Sequence, residues 1–230
     1  PESPAYFRNI PDTCDNCHGD IAVVQANGLN KEPADNYSSS VHGLKLNDPD
    51  AKPAVCTSCH GYHAVRPARD PESRINPFNI PSTCGQCHDQ IAETYLTSVH
   101  GQAQQNGVTL APTCTSCHGM HNIAPVTQID GADVEDVRIV RTTCPACHES
   151  TALMREYDVP AARVQSYRAS FHGLVNRRGE EAVADCASCH GVHNIYSSED
   201  PRSTVAPQNL EKTCGNCHPG AGVAVAAGLL

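Results

Sequence analysis

The stretch CTSCHGMH, residues 114–121, sets the pattern of the whole 230-residue chain. Its core is a C-x-x-C-H motif, which is the attachment signature of a c-type haem. Two thiols add across the two vinyl groups of one haem, and the adjacent histidine reaches the iron as the proximal ligand. The motif occurs seven times and uses all 14 cysteines, so the sequence predicts seven covalently bound haems c.

The seven motifs, numbered 1 to 7 in chain order, supply paired cysteines and one histidine each. The predicted thioether cysteines are Cys14 and Cys17, Cys56 and Cys59, Cys84 and Cys87, Cys114 and Cys117, Cys144 and Cys147, Cys186 and Cys189, and Cys214 and Cys217. The predicted proximal iron ligands are His18, His60, His88, His118, His148, His190 and His218.

Other uses of C-x-x-C explain the pattern less well. A zinc ion needs two such pairs, or one pair and two further ligands, and gives no reason for a histidine directly after every second cysteine. A disulfide framework does not place all cysteines at the same tight separation, and a thioredoxin-like redox motif occurs once in a domain. The sequence therefore favours haem over zinc and disulfides.

The six remaining histidines also lie in two repeated motifs, which predicts that they are distal iron ligands. Three lie in Tyr-x-x-Ser-[Val/Phe]-His-Gly, namely His42, His100 and His172. Three lie in C-x-S-C-H-G-x-H, three residues after a proximal histidine, namely His63, His121 and His193.

These motifs define an internal repeat. Each repeat holds two haem motifs, a first-type motif (1, 3, 5 and 7) and a second-type motif (2, 4 and 6). In every complete copy, 14 residues separate the Ser-x-His-Gly histidine from the next haem cysteine. We predict one multihaem cytochrome domain over 1–230, built of repeats at about 9–71, 79–130 and 139–201 and a truncated fourth repeat at 209–230.

The composition predicts that the porphyrins form much of the core. Only 4% of the residues are aromatic, and 17 Pro and 16 Gly interrupt regular structure. We expect mostly coil with short α-helices wrapped around a stacked chain of seven haems, with little or no β-sheet. The spacing predicts helices over 89–105 and 161–174, with Ile91, Tyr95 and Val99 on one face of the first.

The histidine count leaves at least one iron without a second histidine from this chain. Seven irons with two histidines each need 14 histidines, and the chain has 13. If the ligands come from within each repeat, the odd iron is that of His218, the alternative that we favour. If the histidines of the C-x-x-C-H-x-x-H motifs reach forward to the next repeat, the odd iron is that of His18. Met120, Met154, the Pro1 amine, water or a partner's side chain are candidates for its sixth position.

Over 13–220 the chain resembles multihaem c-type cytochromes with doubled C-x-x-C-H motifs, often grouped as cytochrome c3-like. The C-x-x-C-H-x-x-H motifs are similar to those of extracellular cytochrome nanowire subunits, and this resemblance implies that the second histidine ligates a neighbouring haem. The Tyr-x-x-Ser-Val-His-Gly motif also resembles membrane-associated multihaem subunits of quinol-linked complexes. In those subunits a further histidine and often a membrane segment follow the last haem motif, whereas residues 219–230 here read PGAGVAVAAGLL.

The functional prediction is one-electron transfer along a chain of mostly bis-histidine, low-spin haems, and not catalysis. The alternatives are a haem subunit of a membrane-bound quinol-linked respiratory complex, and a reductase that uses one five-coordinate haem. Expected partners are redox proteins, further copies in a conductive filament, membrane-complex subunits or an extracellular electron acceptor. The net charge of −9 argues against nucleic acid.

The predicted location is extracytoplasmic, in the periplasm, at the cell surface or outside the cell, because haem is attached to c-type cytochromes outside the cytoplasmic membrane. A signal peptide is expected to have been removed. The apolar segment 220–230 is too short to span a bilayer and suits an interface.

Overall fold

The computed structural model describes residues 2–29, 33–124, 137–160, 162–180 and 183–220, which form short helices and coil, with no β-strand among them. The short helices, the coil and the lack of β-strands agree with this part of the fold class expected from the sequence, whereas the stack of haems stays a prediction. The α-helices are α1 (Ile10–His18), α2 (Ile21–Ala26), α3 (Pro33–Ser38), α4 (Val41–Leu44), α5 (Cys56–His60), α6 (Ile80–Gly85), α7 (Asp89–Thr97), α8 (Val99–Gln105), α9 (Cys114–His118), α10 (Val137–His148), α11 (Thr151–Glu156), α12 (Arg163–Ala169), α13 (Phe171–Asn176), α14 (Cys186–His190) and α15 (Leu210–Gly215). Short 3₁₀ turns at Phe7–Asn9, Pro77–Asn79 and Pro207–Asn209 precede α1, α6 and α15.

The chain divides into two compact units whose borders do not follow the repeats. The N-terminal unit comprises Pro1–Ala92 and Gln104–Asp133, and the C-terminal unit comprises Glu93–Ala103 and Val134–Leu230. In the described part of the chain, every helix is too short or too polar to cross a membrane. Apart from Gly220, the apolar segment 220–230 lies outside the described residues.

Each unit has very little hydrophobic core of its own. Among the described residues, the buried hydrophobic side chains are Val24, Val55, Ile80, Ala92, Tyr95, Met154, Val164 and Ala206. Fourteen large hydrophobic side chains are exposed, including Tyr62, Met120 and Phe171 at 71–75%. Eight buried hydrophobic side chains among about 200 described residues are far fewer than a globular core of this length provides.

The helix predicted over 89–105 is broken into α7 and α8 at Ser98. The Ser98 side chain is 1% exposed and accepts a hydrogen bond from the Gly101 N–H, so a new helix begins at Val99. The break turns the chain, and the buried face becomes Ala92, Tyr95 and Ser98, while Ile91 and Val99 are exposed. The helix predicted over 161–174 is likewise split, into α12 and α13, where the Ser170 side chain caps α13.

In the N-terminal unit, Arg8 fixes the loop that leads toward α5. Its guanidinium donates to the carbonyls of Leu46, Asp48 (2.8 Å) and Ala51 (3.3 Å). Because the guanidinium presents several donors in a rigid fork, one side chain can bind three backbone carbonyls of the loop at once. The loop between the Ser-x-His-Gly motif and the next haem motif is thereby attached to the residues just before α1.

Candidate functional site

The second-type motifs fold as three similar five-residue helices, α5, α9 and α14, each running from the first cysteine to the proximal histidine. The serine of C-x-S-C-H accepts a hydrogen bond at 3.0–3.1 Å from the N–H of the residue before the first cysteine, in Ser58, Ser116 and Ser188. A glycine ends each helix at φ of +83°, +80° and +76°, in Gly61, Gly119 and Gly191. With ψ near 180°, this backbone conformation is essentially restricted to glycine. The Ser and Gly of the motif thus begin and end the helix that presents the histidine.

Three of the first-type motifs, namely 1, 3 and 7, are held by an asparagine and a threonine just before them. The Asn79 side chain donates to the carbonyls of Pro71 and Ser73, both at 2.8 Å, and the Asn209 side chain repeats this at Pro201 (2.9 Å) and Ser203 (2.8 Å). The hydroxyls of Thr13, Thr83 and Thr213 donate to the carbonyls of Pro4, Arg74 and Thr204 at 2.6–2.9 Å. These anchors were not predicted from the sequence, although the shared Asp-Pro-x-Ser of 70–73 and 200–203 could have revealed them.

The Ser-x-His-Gly histidines lie at a sharp helix break. In repeat 1, Ser40 is 1% exposed, donates to the Tyr37 carbonyl at 2.6 Å and accepts from the Gly43 N–H at 3.1 Å. A Cβ on Gly43 would lie 2.0 Å from the Tyr37 carbonyl oxygen, so the backbone can approach this closely only at glycine. His42 is held between these two anchors, and the copies around His100 and His172 have the same geometry.

The tyrosine of the same motif explains the constant 14-residue spacing. The Tyr37 hydroxyl donates to the Ala54 carbonyl at 3.0 Å, and the Tyr167 hydroxyl donates to the Ala184 carbonyl at 3.0 Å. Each acceptor lies two residues before the first cysteine of a second-type motif. Burial, followed by the nearby Cys56 and Cys59, raises the pKa of Tyr37 to about 12, so the phenol keeps the proton that it donates.

Four proximal histidines each lie opposite one of the predicted distal histidines. The ring centroids are 6.3 Å apart in His42–His88, 6.1 Å in His60–His121, 6.1 Å in His100–His148 and 5.9 Å in His172–His218.

This separation fits a haem iron between the two rings. Two imidazoles bound to one metal ion from opposite sides place their centroids about 6.2 Å apart, since each metal–nitrogen bond is about 2.0 Å and each centroid lies about 1.1 Å behind its nitrogen. Imidazole rings in direct contact have shorter centroid distances. Four unrelated pairs of histidines would not be expected to share nearly the same centroid distance. The residues present therefore fit bis-histidine ligation.

Every one of these pairs joins two neighbouring repeats. The Ser-x-His-Gly histidine reaches the first-type motif of the next repeat, whereas His121 reaches back to the second-type motif of repeat 1. We favoured His218 as the iron without a second histidine, but the structure places His172 beside it. The number of residues between two motifs limits how far a distal histidine can reach. It does not indicate which neighbouring repeat contains the proximal histidine that it faces.

Three histidines have no opposing imidazole within the described residues of their own unit. They are His18 and His63 in the N-terminal unit and His190 in the C-terminal unit. All three are exposed. The histidine count predicts at least one iron without a second histidine from this chain. His18 and His190 are proximal histidines that have no opposing imidazole in the described residues of their own units.

The other candidate ligands are placed as follows. His118 is the last residue of α9, and the half-buried His193 lies in the turn after α14. Met154 is 5% exposed and packs in α11, whereas Met120 is 71% exposed. Pro1 lies outside the described residues.

A backbone hydrogen bond joins the two kinds of distal-histidine loop. In the N-terminal unit the Val41 N–H, next to His42, donates to the Ile123 carbonyl at 2.9 Å, two residues after His121. In the C-terminal unit the Val99 N–H donates to the Ile195 carbonyl at 2.9 Å in the same way. We call this bond the loop clamp. In the N-terminal unit it joins the loops of two predicted distal histidines, His42 and His121, which face different proximal histidines.

The cysteines bring successive motifs into contact. In all three repeats the first cysteine of the first-type motif hydrogen-bonds with that of the second-type motif, as Cys14–Cys56, Cys84–Cys114 and Cys144–Cys186. Burial, followed by Cys14, raises the pKa of Cys56 to about 12. The charges of Cys84 and Cys214 also act on Cys59 and Cys189, and with burial as the larger cause they raise the pKa of both thiols. The motifs are therefore adjacent in the order 1-2-3-4 in the N-terminal unit and 5-6-7 in the C-terminal unit. All 14 thiols are free of disulfide bonds.

A lowered pKa favours the neutral form, which is the form that binds a metal, in five of the paired imidazoles, those of His42, His60, His100, His121 and His148. Burial, and then the neighbouring His148, lower the pKa of His100 to about 4. Burial followed by the opposing imidazole also lowers the pKa of His42 and of His60. For His121 the causes are burial and then His18, and for His148 burial.

Among the described residues, no three His, Cys, Asp or Glu side chains gather so that they could hold a metal ion by themselves. A structural zinc site would need four such donors. No protein-family model, curated protein or solved structure matches this chain.

Proposed function

We propose that this chain is a multihaem c-type cytochrome that carries electrons one at a time through seven covalently bound haems. The observation that carries the proposal is the set of four histidine pairs at 5.9–6.3 Å. Each pair joins the histidine of a C-x-x-C-H motif to a histidine that the sequence marks as distal. When bound, each haem supplies an iron that cycles between Fe(III) and Fe(II).

The protein's part in this function would be to hold in place the paired imidazoles that ligate an iron. Ser40 and Gly43 orient His42 through the helix break, and the Tyr37 hydroxyl fixes the distance to motif 2. Holding both imidazoles in place minimises reorganisation when the iron changes its charge, since neither ligand has to move. A closed coordination sphere also keeps substrates from the iron, which favours a carrier over an enzyme.

The thiol contacts support an electron path along the chain. Thioether bonds attach each porphyrin edge to its cysteines, so neighbouring cysteines imply neighbouring porphyrin edges. The contacts Cys14–Cys56 and Cys84–Cys114, with Cys59 near Cys84, order motifs 1 to 4 in one line. We propose redox proteins as partners and an extracytoplasmic location, where covalent haem attachment takes place.

The proposal is tested by producing the chain with and without a c-type cytochrome maturation system. We expect seven haems per chain, counted by the pyridine haemochrome spectrum and by intact mass, and mostly low-spin ferric signals in electron paramagnetic resonance (EPR). The matched control is Cys217→Ser, which should leave the other six motifs loaded. A chain that matures without covalent haem, or that binds zinc stoichiometrically, would contradict the proposal.

A further inference from the structure

We infer that two side chains tune the two units in opposite directions: the Arg74 guanidinium raises the reduction potentials of the haems at motifs 2 and 3, and the Asp185 carboxylate lowers that of the haem at motif 6. The inference rests on the proposed function, because it assumes haem at these motifs. It deepens that function by assigning where in each unit an added electron is most and least stable.

Arg74 lies between motifs 2 and 3 of the N-terminal unit. Its Nη2 donates to the side-chain oxygen of Gln86, which lies between the two cysteines of motif 3, at 2.5 Å. On the other side, a Cβ added to Gly61, the residue directly after motif 2, would lie 3.8 Å from the Cδ of Arg74. The Thr83 hydroxyl donates to the Arg74 carbonyl at 2.6 Å and fixes the backbone. One cation is thus held against two motifs.

Asp185 places an anion in a similar relation to motif 6 of the C-terminal unit. It precedes Cys186 directly and is the N-cap of α14. Its Oδ1 accepts hydrogen bonds from the backbone N–H of Ser188 at 2.9 Å and from the Ser188 hydroxyl at 2.8 Å. Ser188 lies between the two cysteines of motif 6, as Gln86 does in motif 3. Each charge is therefore hydrogen-bonded to a residue inside a haem motif.

The counterparts of these two charges in other motifs are neutral. Before the other two second-type motifs, the position of the carboxylate is taken by Val55 and Thr113. Arg74 contributes the carbonyl that accepts from the threonine just before motif 3, and at motifs 1 and 7 this carbonyl belongs to Pro4 and Thr204. The two charges are therefore specific to their motifs and are not required by the repeat.

No opposite charge is paired with either group. Three other arginines pair with carboxylates at 4.0 Å or less, namely Arg66, Arg168 and Arg202. Within the described part of the chain, Arg74 and Asp185 take part in no such ion pair. Both residues are half-buried, so water screens them less than it screens an exposed charge. Each therefore acts on the motif beside it as a full charge.

The cysteine thiols report the sign of the local field. Burial, followed by the charge of a neighbouring thiol, raises the pKa of Cys59, and the charge of Arg74 acts in the opposite direction. Burial, followed by the charges of Cys214 and Asp185, raises the pKa of Cys189. A field that favours a negative sulfur also favours an electron on the porphyrin attached to that sulfur. The two fields therefore have the signs that the inference requires.

The size of the effect follows from Coulomb's law. A unit charge about 10 Å from a redox centre changes the equilibrium constant for adding one electron by about 2- to 16-fold, for effective dielectric constants of about 80 to 20. In the N-terminal unit an added electron is thus favoured at motifs 2 and 3, between motifs 1 and 4. In the C-terminal unit it is disfavoured at motif 6, between motifs 5 and 7.

The test is a potentiometric titration of the holoprotein after its seven haems have been counted. The electrode supplies one electron to each Fe(III), which becomes Fe(II). The area between the titration curves of a variant and of the unmodified protein gives the change in the product of the seven reduction constants, at about 59 mV per tenfold. This readout needs no assignment of single haems.

The Arg74 variants separate its charge from its hydrogen bond. Arg74→Gln can still bond to Gln86 but is neutral, and it should lower the product by about 4- to 250-fold, since two haems are affected. Arg74→Lys keeps the charge and should leave the product nearly unchanged. Arg69→Gln is the matched control, because it removes an exposed cation five residues earlier, and it should have a smaller effect.

The Asp185 variant reads the opposite sign. Asp185→Asn keeps a good N-cap residue and removes the charge, so it should raise the product by about 2- to 16-fold. Its matched control is Glu180→Gln, which removes an exposed carboxylate five residues earlier and should change the product less.

The outcomes separate the inference from the proposed function. An unmodified chain without seven haems refutes the proposed function. With seven haems present, the inference alone is wrong if either variant titrates like its control, or if Arg74→Lys shifts the curve as much as Arg74→Gln. If Arg74→Gln does not take up all its haems, Gln86→Glu sets a carboxylate against the same guanidinium. It should lower the product too, and an unchanged curve would refute the role of Arg74.

Discussion

Ser40→Ala should loosen the distal ligand of motif 3 without touching any haem residue. The buried Ser40 hydroxyl donates to the Tyr37 carbonyl at 2.6 Å and accepts from the Gly43 N–H at 3.1 Å. Alanine leaves the Gly43 N–H without its acceptor, which costs about 1 kcal/mol, whereas the Tyr37 carbonyl keeps its bond from the backbone N–H of residue 40 at 3.0 Å. Since carbon monoxide (CO) would have to displace His42 from this iron, the CO affinity of one ferrous haem should rise by about 5-fold at most, tenfold per 1.4 kcal/mol.

The matched control is Ser39→Ala. The Ser39 hydroxyl also bonds to a carbonyl three residues back, that of Asn36 at 3.0 Å, but it is exposed and caps no helix. CO titration of the reduced proteins, followed in the Soret band, should show a new high-affinity haem only in Ser40→Ala. If the two variants titrate alike, the cap does not position His42, and the account of the helix break is wrong.

Three further predictions follow from the same geometry. His172→Ala should add one CO-binding haem per chain, because it removes the imidazole 5.9 Å from His218, and an unchanged CO count would contradict the pairing. Gly191→Ala, at φ +76° and with its Cβ 2.5 Å from the Asn194 side-chain oxygen, should lower the free energy of unfolding in guanidinium chloride by about 1–3 kcal/mol, and by more than Gly179→Ala, whose Cβ meets no atom within 4 Å. Chemical removal of the haems should abolish most of the helical circular dichroism, because the chain has so small a core of its own; a spectrum that survives removal would show that the polypeptide folds alone.

The short helices and coil can be predicted from the sequence because the composition and the turn-forming residues determine the backbone conformation locally. Abundant Pro and Gly, few aromatic residues and no alternating pattern leave short helices and coil, which is what the described residues form. The helix break at Ser98 was missed because the four-residue spacing of Ile91, Tyr95 and Val99 continues through it. The signal was present in Ser98 and Gly101, a cap and a close-approach glycine, but only the Tyr95 carbonyl 2.1 Å from the Gly101 Cβ position shows that continuation is impossible.

The candidate site could be predicted in its residues but not in its connections. Residue type and adjacency are enough to predict the thioether cysteines and proximal histidines, since the chemistry of each proposed attachment is confined to five consecutive residues. The partner of each distal histidine depends on packing between segments about 46–61 residues apart, as in His42–His88 and His60–His121. That distance information is absent from a single sequence, and the pairing of His172 with His218 therefore became visible only in three dimensions.

The loop clamp and the cross-repeat pairs impose an order on biosynthesis. In a chain that is exported from its N-terminus, His42 emerges 46 residues before the His88 that it faces, whereas His60 has to wait 61 residues for His121. The histidine pairs of each repeat can thus form only after the following repeat has been translocated. If the chain is exported and carries haem as we propose, a stall between two repeats would leave the second-type motif of the earlier repeat without the histidine that faces it, as His60 would be without His121.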